Sequence, residues 1–243
     1  MKFSTLNESQ LHHAIKILYQ ELYEAETEIE QDGFVYDLIT KEGNIIEIQT
    51  KNLSKLLPKI KKTIENGHQI KIVYPIPLTT YIEIKDQEGT IISKRKSPKK
   101  GCIYDIFREL TKLYTVIQNP NFKIEVLEIE MIEERIRTTE PVQSTNGRRR
   151  FKRNWIKNDK KLVSIINKRY FNSNQDYIDL LPKMNNIFCA KDLKNAIQEI
   201  DTIPKNSKID AHLILWVLSH AKIIEQTKII NKTKYYKICN DIT

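Results

Sequence analysis

Residues 26–50 hold three short runs, TEIEQ, FVYDLIT and NIIEIQT, separated by Asp32-Gly33 and Glu42-Gly43-Asn44. Alternating apolar and polar residues describe strands. Glycine beside Asp or Asn is the chemistry of a tight hairpin turn. Two consecutive hairpins leave few arrangements for the chain around them. Before them, LHHAIKILYQELYEA carries apolar or aromatic residues at 11, 15, 18, 19 and 22, which is a helical period, with Asn7 or Ser9 as the cap. After them, LSKLLPKIKKTIENG predicts a helix whose Pro58 shifts the start and whose Gly67 ends it. QIKIVYPI is then an almost unbroken β run, as in a sheet interior. The predicted order is α-β-β-β-α-β, an α/β fold.

Further on, YIEIKDQEGTIISKRK predicts a hairpin around Glu88-Gly89, CIYDIFRELTKLYTVI an amphipathic helix, and FKIEVLEIEMIEERI a long alternating strand. Periodicity breaks at 139–150, which contains Pro, Gly, Ser and Asn, so a basic linker is expected over 139–158. Residues 1–138 then form one domain and 159–243 a second. In the second, KKLVSIINKRYF, YIDLLPKM, AKDLKNAIQEI and KIDAHLILWVLSHAKII predict helices, and IEQTKII with KYYKI a closing hairpin. That is the order of a winged helix-turn-helix. Its last helix, the positional analogue of a recognition helix, is mostly core, through Ile209, Leu213, Ile214, Trp216, Val217 and Leu218, with Lys208, Asp210, His212 and Ser219 left exposed.

Composition narrows the function classes. No apolar run approaches the roughly 20 residues that span a bilayer. MKFSTLNESQ lacks the apolar stretch of a secretory signal. Cys102, Cys189 and Cys239 have neither zinc-like spacing nor an even count, so a cytoplasmic protein with inert thiols is expected. Net charge is +9, and it is lopsided: residues 1–138 carry 20 Lys and Arg against 21 Asp and Glu, residues 139–243 carry 20 against 10. Such asymmetry suggests a polyanion such as nucleic acid, although a chain rich in Lys, Ile and Asn throughout gives the same imbalance.

The chemistry centres on NIIEIQTKN. Glu47 and Gln49 are two apart on a strand and point to one side, and the hairpin at 42–44 can bring Asp37 into the same cleft. Two neighbouring carboxylates repel unless a cation lies between them. An all-oxygen site suits Mg²⁺, with Mn²⁺ as substitute. Such an ion lowers the pKa of a bound water and stabilises charge on a phosphoryl group in transfer. The bland alternative is a structural polar cluster. Gln49 can orient water or phosphate through its amide.

The Asp37…Glu47-Ile48-Gln49 set within an α-β-β-β-α-β order resembles the PD-(D/E)XK nuclease superfamily in its E-x-Q form. More narrowly, LHHAIK, DGFVYD, IEIQT, IVYPI and RKSPKKG resemble an uncharacterised bacterial family that joins this core to a C-terminal winged-helix region. The resemblance implies a restriction-endonuclease-like core, a metal-dependent endonuclease cutting DNA, and Asp37 and Glu47 as metal ligands. Superfamily members usually have lysine where Gln49 stands. Here that lysine can come from Lys51, or from Lys55 or Lys59 on the following helix; Lys59 is the candidate taken as catalytic. For the first-helix acid, Glu21, Glu24, Glu28 and the less usual His12 are open. RKSPKKG puts four positive charges around a turn. Lys94, Arg95, Lys96, Lys99 and Lys100, the arginines Arg148, Arg149 and Arg150, and Lys232 and Lys234 near the last hairpin are the candidate DNA contacts. A homodimer is a possible partner, since single-site nucleases cut two strands by pairing. The competing expectations are a DNA-binding or scaffolding protein with a decayed centre, and a regulator led by the winged helix.

Overall fold

The structure, a computed structural model, describes residues 8–144, 147–205 and 207–239. Asn7, one of the two expected caps, lies outside them. The other, Ser9, accepts the His12 amide at 3.3 Å and starts helix α1 (Gln10–Tyr23), which buries Leu11, Ile15 and Tyr19 along one stripe. Strands β1 (Glu26–Gln31), β2 (Phe34–Ile39) and β3 (Ile45–Ile48) follow as an antiparallel meander. A 3₁₀ turn (Leu53–Leu56) leads into α2 (Leu57–Glu65), with Pro58 in its first turn, where no amide partner is lost. Strand β4 (Ile70–Lys85) runs parallel to β3, so the expected α-β-β-β-α-β order is present.

Beyond that order the sheet grows. Strand β5 (Ile91–Lys96) folds back on the end of β4. A short helix, α3 (Ile106–Leu110), crosses to β6 (Phe122–Val142), which is parallel to β4 along its length. Strand β7 (Arg153–Phe171) closes the sheet, antiparallel to β6. The result is a seven-stranded mixed sheet in the order β1-β2-β3-β4-β6-β7, with β5 on β4.

Two expectations are corrected here. The stretch expected as a linker is instead strand at 139–142 and 153–158, the far ends of β6 and β7, so the boundary drawn at 138/159 falls inside paired strands. KKLVSIINKRYF is strand, not helix. Its cations meet the acids of β6 across the ladder: Lys161 lies 2.8 Å from Glu134, Arg169 3.2 Å from Glu128 and Lys168 3.8 Å from Glu125. These partners lie far off in sequence and decide between two periods that the local pattern leaves open.

The remaining elements are α4 (Asn174–Ile178), β8 (Phe188–Cys189), α5 (Ala190–Gln198), α6 (Ala211–His220), β9 (Ile224–Ile230) and β10 (Thr233–Ile238), with β8-β10-β9 as a small antiparallel sheet. YIDLLPKM is helical only at its start. One buried cluster runs from Tyr36, Ile60 and Ile72 through Phe107 to Leu215 and Val217, and a second joins α1 to Leu38, Ile46, Ile48 and Val73. Trp216 departs from its expected core position: it is 39% exposed and stacks on His220 at 3.9 Å. Cys102 and Cys189 are buried, and no disulfide joins two cysteines among the described residues. Among the described residues no helix is long and apolar enough to cross a membrane.

Candidate functional site

Strands β2 and β3 pair only at Leu38–Ile46 and Ile39–Ile45 and then separate. Past that point two amides lack a ladder partner, and each is taken by the side chain of the opposite strand. The Asp37 amide donates to Glu47 Oε1 at 3.0 Å, and the Ile48 amide donates to Asp37 Oδ2 at 2.8 Å. Buried backbone donors must be satisfied, so these two carboxylates are held where the strands splay. Sequence spacing brought Asp37 and Glu47 together correctly.

Lys59 reaches the same point from α2. Its ammonium donates to Glu47 Oε1 and to the Val35 carbonyl, both at 2.5 Å, and lies 4.5 Å from the centre of the Tyr36 ring. The Tyr36 hydroxyl meets Thr63 Oγ1 at 2.7 Å, and Thr63 donates to the Lys59 carbonyl at 2.8 Å, which fixes the helix turn that presents the lysine. Lys55 and Lys51 are exposed and do not reach the carboxylates.

The residue α1 contributes is His12. Its Nε2–H points at the Ile48 carbonyl, 2.8 Å away, with Asp37 Oδ2 at 3.3 Å, and its Nδ1 side is bonded to Glu8. Glu8 also binds Lys16, which binds Glu28 at 3.1 Å. Glu21 and Glu24 are exposed, and Glu24 pairs with Lys41. Glu8 was missed; it precedes the Ser9 cap, outside the helix, so no helical spacing points from it to His12. Gln49 does not join the group. Strand β3 ends at Ile48, and the Gln49 amide turns back to the Lys51 carbonyl at 2.6 Å.

The electrostatics follow from burial and neighbours. Burial and then the charge of Asp37 push Glu47 up, against Lys59, to about 7. Asp37 is raised by burial, but the His12 hydrogen bond and charge, the Ile48 amide and Lys59 outweigh that and hold it below its usual range. Burial disfavours the His12 cation, yet Asp37 and Glu8 together lift it to about 9. The cluster is therefore an alternating row of charges around one acid that is half-titrated near neutrality.

For a metal, the donors are all hard oxygens: the Asp37 and Glu47 carboxylates and the Ile48 carbonyl. The His12 imidazolium spans two of them, Asp37 Oδ2 and Ile48 O, as a cation. Such a set fits Mg²⁺ or Mn²⁺ in kind. Among the described residues no three His, Cys, Asp or Glu side chains gather to hold a metal, so any ion here would rest on two carboxylates and main-chain oxygen.

The candidate anion contacts are dispersed. Lys94, Arg95 and Lys96 lie on exposed β5, where Lys94 is 3.7 Å from Glu83 and Lys96 lies over Tyr81. Lys99 lines a groove beside β4, and Lys100 is exposed. Arg148, Arg149 and Arg150 lie at the β6–β7 hairpin end, Arg149 stacking on Trp155 at 4.1 Å and Arg150 on Phe151 at 5.3 Å. Lys232 and Lys234 line a cavity of about 650 Å³ with His212, Trp216 and Ser219 of α6.

The chain is similar to an uncharacterized protein of Treponema pallidum (strain Nichols), at 31% identity over 196 residues that cover 79% of this chain and 74% of the relative. No solved structure matches it significantly. Residues 9–172 match the family described as a domain of unknown function, DUF8091, a span that runs from α1 through β7 and takes in His12, Asp37, Glu47 and Lys59. The chain belongs to that DUF8091 family.

Proposed function

We propose that the chain is a metal-dependent endonuclease that hydrolyses DNA phosphodiester bonds, built on a restriction-endonuclease-like core with a winged-helix-like C-terminal part. The observation that carries this reading is the meeting of three groups at the splayed end of β2 and β3: Asp37 and Glu47, each held by the other strand's amide, and Lys59 delivered from α2. The usual lysine is absent at Gln49, and a lysine from the next helix takes its place beside the acid. The order α4-β8-α5-α6-β9-β10 supports the winged-helix part.

In this reading Asp37 and Glu47, with the Ile48 carbonyl, hold Mg²⁺ or Mn²⁺. When bound, the ion activates water and neutralises phosphoryl charge. A bound ion would keep Glu47 ionised, and its carboxylate would then accept a proton from the attacking water. Lys59, fixed by Val35 and Tyr36, offers positive charge to the phosphoryl oxygens. His12 holds Asp37 ionised and in place.

A second reading has its own observation. His12 and Lys59 already satisfy both carboxylates, and Gln49 faces away, as in a nuclease fold that binds DNA without cutting it. Incubating linear and circular DNA with Mg²⁺ or Mn²⁺ separates the two. The nuclease reading expects cutting that is abolished by EDTA, Glu47→Gln and Lys59→Met. DNA retention without cutting under either metal favours the binding protein.

A further inference from the structure

The β3 ladder on β4 stops at Ile48–Val73, and the β5 ladder on the same edge begins at Lys96–Tyr81. Between them the β4 edge has no strand neighbour. Residues 97–101 of RKSPKKG cover it instead, through Ser97 N–H to the Thr80 carbonyl at 2.8 Å and Gly101 N–H to the Pro77 carbonyl at 3.0 Å. A Cβ at Gly101 would lie 2.5 Å from the Pro77 oxygen, so glycine is what lets the loop come this close. The gap between loop, β4 and β7 is a groove of about 490 Å³. It opens beyond the C-terminal end of β3, where open α/β sheets place their ligands.

The lining has two parts. Tyr74, Pro75, Pro77 and Met131 give apolar surface, and Lys99, Lys157 and Lys160 give cations. Three acids share the lining, and each is already engaged. Glu133 pairs with Lys157 and with Arg135, whose guanidinium lies on Trp155 at 3.7 Å. Asp105 accepts from the Cys102 amide at 3.0 Å, and Glu109 from the Leu53 amide at 2.7 Å and the Tyr74 hydroxyl at 3.3 Å. Lys99 and Lys160 have no ion pair among the described residues. Lys160 is half-buried, and its pKa is lowered by burial and then by Lys157, Lys51 and Lys99. Converging cations next to apolar surface are unfavourable until an anion with an apolar body joins them.

We propose that this groove seats an unpaired nucleotide, with its phosphate among Lys99, Lys157 and Lys160 and its base on Tyr74 and the prolines. In a stacked duplex the base faces are covered, so the ligand is a single strand or a frayed segment. The choice of nucleic acid rests on the nuclease reading; the groove and its charge do not.

The test is anisotropy with labelled oligo-dT and a blunt hairpin of equal charge, in EDTA so that nothing is cut. Single strand is expected to bind about tenfold tighter than hairpin, with Lys160→Met and Lys99→Met each losing about tenfold and flattening the log–log salt slope by about one. Lys194→Met, an exposed change outside the groove, should bind like wild type. Equal affinity for hairpin and single strand overturns the proposal, as does unchanged binding in both groove variants. If Lys160→Met does not fold, Lys99→Met decides, since its side chain is exposed. Binding effects without cleavage under any metal leave the groove standing and remove the nuclease, whereas cleavage with unaltered binding removes only the groove.

Discussion

Replacing Glu47 with glutamine removes a charge and keeps an oxygen that can accept from Asp37 N–H and Lys59. Its effect on stability should depend on pH in a defined way. The folded protein holds the Glu47 proton up to about 7, against an ordinary value of 4.5. The rise is net of Lys59 and reflects burial first, then Asp37. Below pH 4.5 the proton is bound in both folded and unfolded chains. Between 4.5 and about 7 only the folded chain keeps it, so wild-type stability falls there, by about 3 kcal/mol in all at roughly 1.4 kcal/mol per pH unit. Glu47→Gln lacks that fall. Urea unfolding from pH 4.5 to 8.5 in EDTA should show the variant gaining on wild type up to about pH 7 and then running parallel. Whatever pH-independent offset the amide introduces drops out of that difference. Mg²⁺ should raise wild type relative to the variant at pH 8 by favouring the ionised acid. Parallel profiles across the whole range would refute the assignment of a buried acid at 47 that holds its proton towards neutrality.

Three further outcomes follow from the same contacts. His12 is raised from 6.5 to about 9, so its stabilisation, at most about 3 kcal/mol, is full below pH 6.5 and lost as pH rises through 9; His12→Gln should be costly at pH 6 and nearly neutral at pH 10 in thermal melts. Lys59→Met leaves Glu47 buried without its cation and should cost about 2–4 kcal/mol at pH 8; the loss should shrink at pH 5, where Glu47 is protonated. Gly101→Ala puts a methyl against the Pro77 carbonyl and should cost about 1–3 kcal/mol, measurable by urea titration.

The meander, both flanking helices and β4 were legible because each element carries its own punctuation: Asp32-Gly33, Gly43-Asn44, Pro58 and Gly67 all stand where the chain turns or starts. The pairing of Asp37 with Glu47 was legible for the same reason, since a hairpin fixes its register locally. Lys59 was readable only as one of several lysines, because the choice depends on how α2 lies on Tyr36. Strand β7 was not legible. Leu162, Val163, Ile165 and Ile166 satisfy a helical and a strand period alike, and the acids of β6 that settle it are 27 to 43 residues away. The same long-range pairing turned an apparent linker into a hairpin end. Gln49 was misplaced because side-chain alternation holds only while the strand lasts, and β3 ends one residue earlier. Trp216 was counted as core on hydropathy alone, although His220 stacks on it and Tyr114 meets it edge-on.

The most direct measurement is the anomalous signal from crystals soaked in Mn²⁺, compared between wild type and Asp37→Ala. A peak between the Asp37 and Glu47 carboxylates, with the His12 ring displaced from the Ile48 carbonyl and the peak gone in the variant, is what a metal-dependent nuclease predicts. Carboxylates still bonded to His12 and Lys59 at saturating Mn²⁺, with no peak between them, would contradict it.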